Sequence, residues 1–124
     1  MASRVYPQGW ALYIGTDGTW EFWVSSGADM LAIYSANSVT LNTWYYVVGT
    51  FDGTTANLYV NGALVASGAV TTYQAQTSNP LEIGQSEPGD NLYFPGRLEE
   101  AAVYGTALTA TRVQHHYSVG TTGR

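Results

Sequence analysis

The stretch at residues 44–62, WYYVVGTFDGTTANLYVNG, constrains the chain most. It holds two apolar runs of strand length: residues 44–51, dense in aromatic and β-branched side chains, and residues 56–61. Between them lies Asp52-Gly53-Thr54-Thr55, and Asn61-Gly62 closes the second run. Asp-Gly and Asn-Gly are strong turn signals. Glycine takes a positive φ at little cost, and Asn or Asp tolerates the left-handed region better than most residues. The stretch therefore predicts an antiparallel hairpin followed by a second tight turn. A side-chain period of two puts Leu58 and Val60 on one face of the second strand and Asn57, Tyr59 and Asn61 on the other. One apolar and one mixed face is the pattern of a sheet covered by a core on one side.

Upstream, the same period recurs. Trp10, Leu12 and Ile14 point one way, Ala11 and Tyr13 the other. After the turn Thr16-Asp17-Gly18-Thr19, Trp20, Phe22 and Val24 share one face, with Glu21 and Trp23 opposite. This predicts a second hairpin with Tyr13 and Trp23 on its outer face. Residues 30–34 read as a short strand, 36–42 as another extended piece, 64–66 and 81–84 as brief apolar segments, and 94–104 as a last strand. Residues 71–79 and 86–91 read as loops. Only near the end does the period change. Thr109 is a plausible N-cap for a helix over residues 110–117, with Val113 and Tyr117 spaced i, i+4, and Val119-Gly120 ends it. The expectation is one all-β domain over residues 1–124 with one short C-terminal helix. Residues 1–8 and 118–124 read as flexible ends.

Composition excludes some functions. The net charge is −5, and all four basic residues are arginines, at positions 4, 97, 112 and 124. Nucleic-acid affinity rests on Lys and Arg neutralising phosphates, so an acidic chain with scattered arginines predicts no nucleic-acid partner. No apolar run approaches membrane-spanning length, which predicts no membrane insertion. There is no cysteine, hence no disulfide, thiolate metal site or cysteine nucleophile. The first ten residues carry no apolar core of a signal peptide.

Read in order, several motifs resemble those of the laminin-G-like, concanavalin A-like jelly-roll family of lectins and glucanases. A Trp-led apolar strand enters Asp52-Gly53, and Leu58-Tyr59-Val60-Asn61-Gly62 follows. A short segment ends in Ile83-Gly84. Phe94-Pro95-Gly96-Arg97-Leu98-Glu99-Glu100 then leads to Tyr104 and to Leu108-Thr109 at the helix start. The resemblance runs from about Gly9 to Tyr117. It implies an antiparallel two-sheet jelly-roll sandwich and an extracellular or cell-surface setting. Two departures stand out. The family's Asp-Glu pair is Glu99-Glu100 here, and about two N-terminal strands of the family have no counterpart. A sandwich missing strands exposes an edge and part of its core. The expectation is a homodimer or higher oligomer, in which another copy covers the gap, or a fragment of a longer chain.

Three chemistries compete on this framework. Some relatives on the fold hydrolyse glycosides with paired carboxylates on one strand. Here Glu99 and Glu100 are adjacent, so on a regular strand they face opposite sides and cannot flank one bond. Glu82 and Glu87 are five apart, and His115 and His116 diverge by about 100° on a helix. No catalytic residue is assigned, and a glycoside hydrolase ranks third. Calcium, which many relatives bind, needs oxygen ligands. Glu87, Asp90 and Asn91 offer them in one loop, against the plainer reading of a polar turn. Sugars stack their C–H faces on exposed rings beside polar groups that set orientation. Tyr13, Trp23, Tyr34 and Tyr59 are the candidates for a carbohydrate or protein ligand, whereas Trp10, Trp20 and Trp44 read as core. The function expected first is glycan recognition by a non-catalytic module. The alternative is a self-associating structural module of a larger surface or phage assembly, with the outer rings as subunit contacts.

Overall fold

The computed structural model describes residues 1–86, 89 and 91–122. Among them, seven strands form two antiparallel sheets. Strands β1 (Ala2–Val5), β2 (Gln8–Ile14), β3 (Thr19–Ser26) and β4 (Asp29–Ser38) lie side by side in chain order. Strands β5 (Val47–Phe51), β6 (Thr55–Val60) and β7 (Ala63–Ala69) do the same in the second sheet. Helix α1 (Ala110–Thr122) closes the order. This is the all-β antiparallel sandwich expected from the alternation, with its single C-terminal helix.

The turns form as their residues dictate. Asn61 (φ 52°) and Gly62 (φ 81°) are both left-handed and join β6 to β7 in a two-residue loop, with Val60 opposite Ala63. Two successive positive φ values define a type I′ turn, whose twist matches that of the strands. At the other end of β6, Asp52 Oδ1 accepts from the backbone N–H of Thr54 (2.9 Å) and Thr55 (2.8 Å) and from the Thr54 hydroxyl (2.9 Å). These bonds hold the Asp52 carboxyl below its ordinary pKa, the Thr54 N–H first among them. Asp17 repeats the device on Thr19 between β2 and β3.

The core lies between the sheets. Phe22, Val24 and Ile33 face Ala56, Leu58 and Val70, with Trp10, Leu12 and Trp20 packed around them. The sheets come together at two glycines. A Cβ on Gly49 would sit 2.7 Å from the Phe22 ring, and one on Gly68 would sit 2.8 Å from Leu31. Thr109 Oγ1 accepts from Arg112 N at 3.2 Å, which is the expected N-cap. Tyr117 stacks on Tyr46, with ring centroids 6.0 Å apart, and lies against Gly62, so the helix docks on the β6–β7 turn.

Several boundaries differ from the sequence reading. Residues 2–5 are not a flexible end: they form β1, paired with β2 from Ala2↔Ala11 to Val5↔Gln8. The helix runs on through Gly120 to Thr122, where the Ser118 and Val119 carbonyls accept from the Thr122 hydroxyl. Residues 30–34 and the start of 36–42 belong to one strand, Asp29–Ser38, and Asn42 (φ 59°) lies in the turn that follows it. Residues 94–104 form no strand. Glu100 is left-handed (φ 50°), and beyond the Phe94 N–H, which donates to the Gly84 carbonyl at 2.8 Å, the segment is exposed and forms no ladder. Trp44, read as core, is 48% exposed, because the strand it was expected to open begins only at Val47.

Candidate functional site

The outer face of the four-stranded sheet carries the candidate site. The register sets Tyr13, Glu21 and Tyr34 in one row across β2, β3 and β4. The next row holds Ala11, Trp23 and Ala32. Tyr13 and Trp23 are therefore diagonal neighbours on adjacent strands, within reach of large rings. Their centroids are 6.2 Å apart and their planes 18° from parallel, an offset stack.

Three groups hold Trp23. Tyr13 stacks on it. Its indole N–H donates to Glu21 Oε2 at 2.6 Å. The Arg4 guanidinium lies 6.0 Å from its ring centroid and completes the set from β1. Arg4 Nη1 also reaches Met30 Sδ at 3.8 Å. On the same face Ala11, Ser25 and Met30 are buried, and Glu21 is only 7% exposed. The result is a fixed ring platform bordered by Tyr34, which is 47% exposed.

At one end of this sheet, Asp29 Oδ1 accepts from Met30 N and from the Tyr6 hydroxyl, both at 2.8 Å. The backbone N–H bond first, then the phenol, keeps the Asp29 carboxyl below its ordinary pKa, and the same contact raises Tyr6. The hairpin turns of β1–β2 and β3–β4 are tied together there.

Of the four rings singled out in the sequence, the structure brings Tyr13, Trp23 and Tyr34 onto one face. Tyr59 is elsewhere. It sits on β6, the central strand of the other sheet, between Val48 and Leu64 in register, and is 5% exposed. It offers no surface to a ligand. Arg4 and Glu21 are the members that sequence reasoning missed. Glu21 was visible as the outward neighbour of Trp23. Arg4 lay in a segment that read as a loose end.

Of the calcium candidates, Glu87 and Asp90 lie outside the described residues. Asn91 is exposed, with a left-handed backbone (φ 53°). Among the described residues no group of three or more His, Asp or Glu side chains comes together, so these alone do not assemble an oxygen cage. The acidic residues considered for hydrolysis are dispersed. Glu82 Oε2 accepts from Gln85 Nε2 at 2.6 Å, while Glu99 and Glu100 stand in the exposed segment before the helix. His116 lies against Tyr104, at 6.1 Å between centroids. Among the described residues, no helix is long and apolar enough to cross a membrane.

Residues 2–114 match the model of a laminin G family described as the concanavalin A-like lectin/glucanases superfamily. No curated protein matches the chain. A solved structure similar to this one is that of an S-layer domain-containing protein (residues 221–444) from Clostridium thermocellum. Its TM-score is 0.54 and its identity 22%, over 92% of this chain and 65% of that one. At such identity the likeness is one of fold, and this chain spans about two-thirds of that structure.

Proposed function

This chain belongs to the concanavalin A-like lectin/glucanases superfamily, and from that premise we propose that it is a non-catalytic module binding glycans on the outer face of its four-stranded sheet. One observation carries the reading: the Tyr13–Trp23 stack, held by Glu21 and Arg4 and bordered by Tyr34. Flat rings on a rigid sheet suit the apolar face of a sugar, and the adjoining polar groups suit its hydroxyls. A surface or extracellular setting belongs to the same reading, supported by the S-layer domain-containing neighbour.

The test is binding to a panel of immobilised neutral and acidic polysaccharides, with Trp23→Ala as the variant. Removing about 80 Å² of apolar contact costs on the order of 2 kcal/mol, or about 30-fold in affinity. A folded Trp23→Ala protein that binds as tightly as the parent overturns the proposal.

A second reading has its own observation. Leu92, Tyr93, Leu98, Val103 and Tyr104 are each more than half exposed within a short span before the helix. Exposed apolar residues at that density suit contact with another subunit. Light scattering after size exclusion, with calcium and with chelator, decides it. A dimer or larger in both conditions, weakened by Tyr93→Ser with Val103→Ser, supports self-association. A monomer throughout refutes it.

A further inference from the structure

A groove of about 430 Å³ opens at the end of the sandwich where β3 begins and β4 ends. Trp20, Tyr45, Val60 and Val65 wall it, together with residues 35–40. Small-ligand sites typically measure roughly 300–1,000 Å³, so the space is adequate for a single small ring. The rings of Trp20 and Tyr45 meet edge to face at 6.0 Å.

Its polar groups are unevenly satisfied. Ser35 Oγ accepts from Trp20 N at 2.9 Å and donates to the Asn37 carbonyl at 2.9 Å. Ser38 Oγ donates to the Asp17 carbonyl at 3.0 Å. Tyr45 Oη accepts from Thr40 N at 2.9 Å, and among the described residues its own proton meets no acceptor. The Asn37 side-chain amide makes no hydrogen bond among the described residues. Most telling, Trp20 Nε1 is buried without a hydrogen-bond partner among the described residues. Buried donors are nearly always paired, and an orphan marks a place where an acceptor is to come from elsewhere.

No charged side chain lines the groove. An ionic ligand would lose its hydration there without a counter-charge, which favours a neutral occupant. The geometry points to a second ligand site, for a neutral hydroxyl-bearing ring such as one hexose unit. The apolar side of that ring lies against Val60, Val65 and the aromatic edges. One of its oxygens accepts from Trp20 Nε1, and others meet Asn37 and Tyr45. Residues 39–46 lie outside the strands and are held at Val39 and Tyr46 by bonds to Gly18 and Asn61, so on this proposal the Tyr45 side chain between them yields to admit the oxygen. The site is separate from the ring platform and stands whether or not that platform binds glycans.

The four tryptophans give four indole N–H signals in a nitrogen–proton correlation spectrum, and Trp20→Phe identifies one by its loss. Glucose, galactose, mannose and N-acetylglucosamine are the probes, with glucuronate as the charged control. The expected result is a saturable downfield movement of the Trp20 indole proton with at least one neutral sugar and none with glucuronate. Asn37→Ala, an exposed change that leaves the core intact, should weaken that response about five- to tenfold, the loss of one hydrogen bond. A Trp20 signal unmoved by all four sugars overturns the site. So does a response confined to the Trp23 indole, which favours the platform alone, or one equally strong in Asn37→Ala.

Discussion

Gly49→Ala tests how closely the sheets approach. The glycine faces Phe22, and an added Cβ would lie 2.7 Å from two ring carbons and 2.9 Å from a third. Optimal carbon–carbon contact is about 3.5–4.0 Å, so the methyl intrudes by roughly 0.6 Å or more on three atoms at once. Phe22 cannot yield easily. It is 5% exposed and pinned by Leu12 and Ile33 in register on either side. The backbone at Gly49 lies outside the left-handed region, so Ala recovers about 0.5–1 kcal/mol of chain entropy. Overpacking costs about 1–3 kcal/mol. The net expectation is a loss of about 1–2 kcal/mol, which lowers the melting temperature by about 3–10 °C for a domain of this size. Thermal unfolding followed by circular dichroism measures it. Phe22→Leu makes room, so the double variant should be more stable than the two single losses added together, by about 1 kcal/mol. A Gly49→Ala protein that melts at or above the parent temperature, or a strictly additive double variant, refutes the close approach.

Other expectations are local. Gly62→Ala meets both a left-handed backbone (φ 81°) and the Tyr117 ring at 2.9 Å. It should cost about 1–2 kcal/mol and loosen the helix, read as faster proteolysis after Arg112 than elsewhere. Thr109→Ala removes the acceptor of the Arg112 N–H and should cost about 1 kcal/mol, with a smaller signal at 222 nm. Asp52 has its carboxyl held below the ordinary 3.8 by Thr54 and then Thr55. A depressed folded pKa adds stability that is present above 3.8 and lost as the pH falls through the folded value. Between pH 6 and pH 3 the urea midpoint should therefore fall more in the parent than in Asp52→Asn. An equal fall in both contradicts the assignment.

The parts of the fold that were legible in the sequence are those where local chemistry and tertiary packing agree. Asn61-Gly62 and Asp52-Gly53 announce their turns because few other pairs populate those φ values, and the period of two in residues 10–24 assigns both faces of β2 and β3. Trouble begins where a strand depends on a partner. Residues 94–104 carry enough apolar side chains to read as a strand, yet no ladder forms along them, and pairing is not written in one segment alone. Residues 2–5 show the converse, since their weak pattern becomes β1 through its pairing with Gln8–Ile14. Tyr59 was misread because Asn57 and Asn61 made its face look solvated, whereas in register it lies between the apolar Val48 and Leu64. Arg4 had no local signal at all. Its role depends on a register that brings it beside Trp23.

Exposure alone would pick the wrong residues as a binding surface. Leu41 and Tyr93 present more of themselves to water than any ring of the sheet platform, but neither sits in a sheet: Leu41 lies in a turn and Tyr93 in an isolated bridge with Gln85. A side chain free to rotate there loses that freedom when a ligand lands, at roughly 0.5–1.5 kcal/mol each. Trp23 has lost it already: the Tyr13 stack, the 2.6 Å bond to Glu21 and the Arg4 guanidinium fix its ring before any ligand arrives. The buried carboxylate of Glu21 explains itself in this way. A carboxyl group on a residue only 7% exposed is unfavourable as packing. On the outer face of a sheet, where a hydrophobic side chain would cover the same area, its hydrogen bond to the indole sets the orientation of the ring. That arrangement suits recognition better than packing, and it is why the partly exposed Tyr13–Trp23 pair, rather than the more exposed aromatics, is the surface we propose for a ligand.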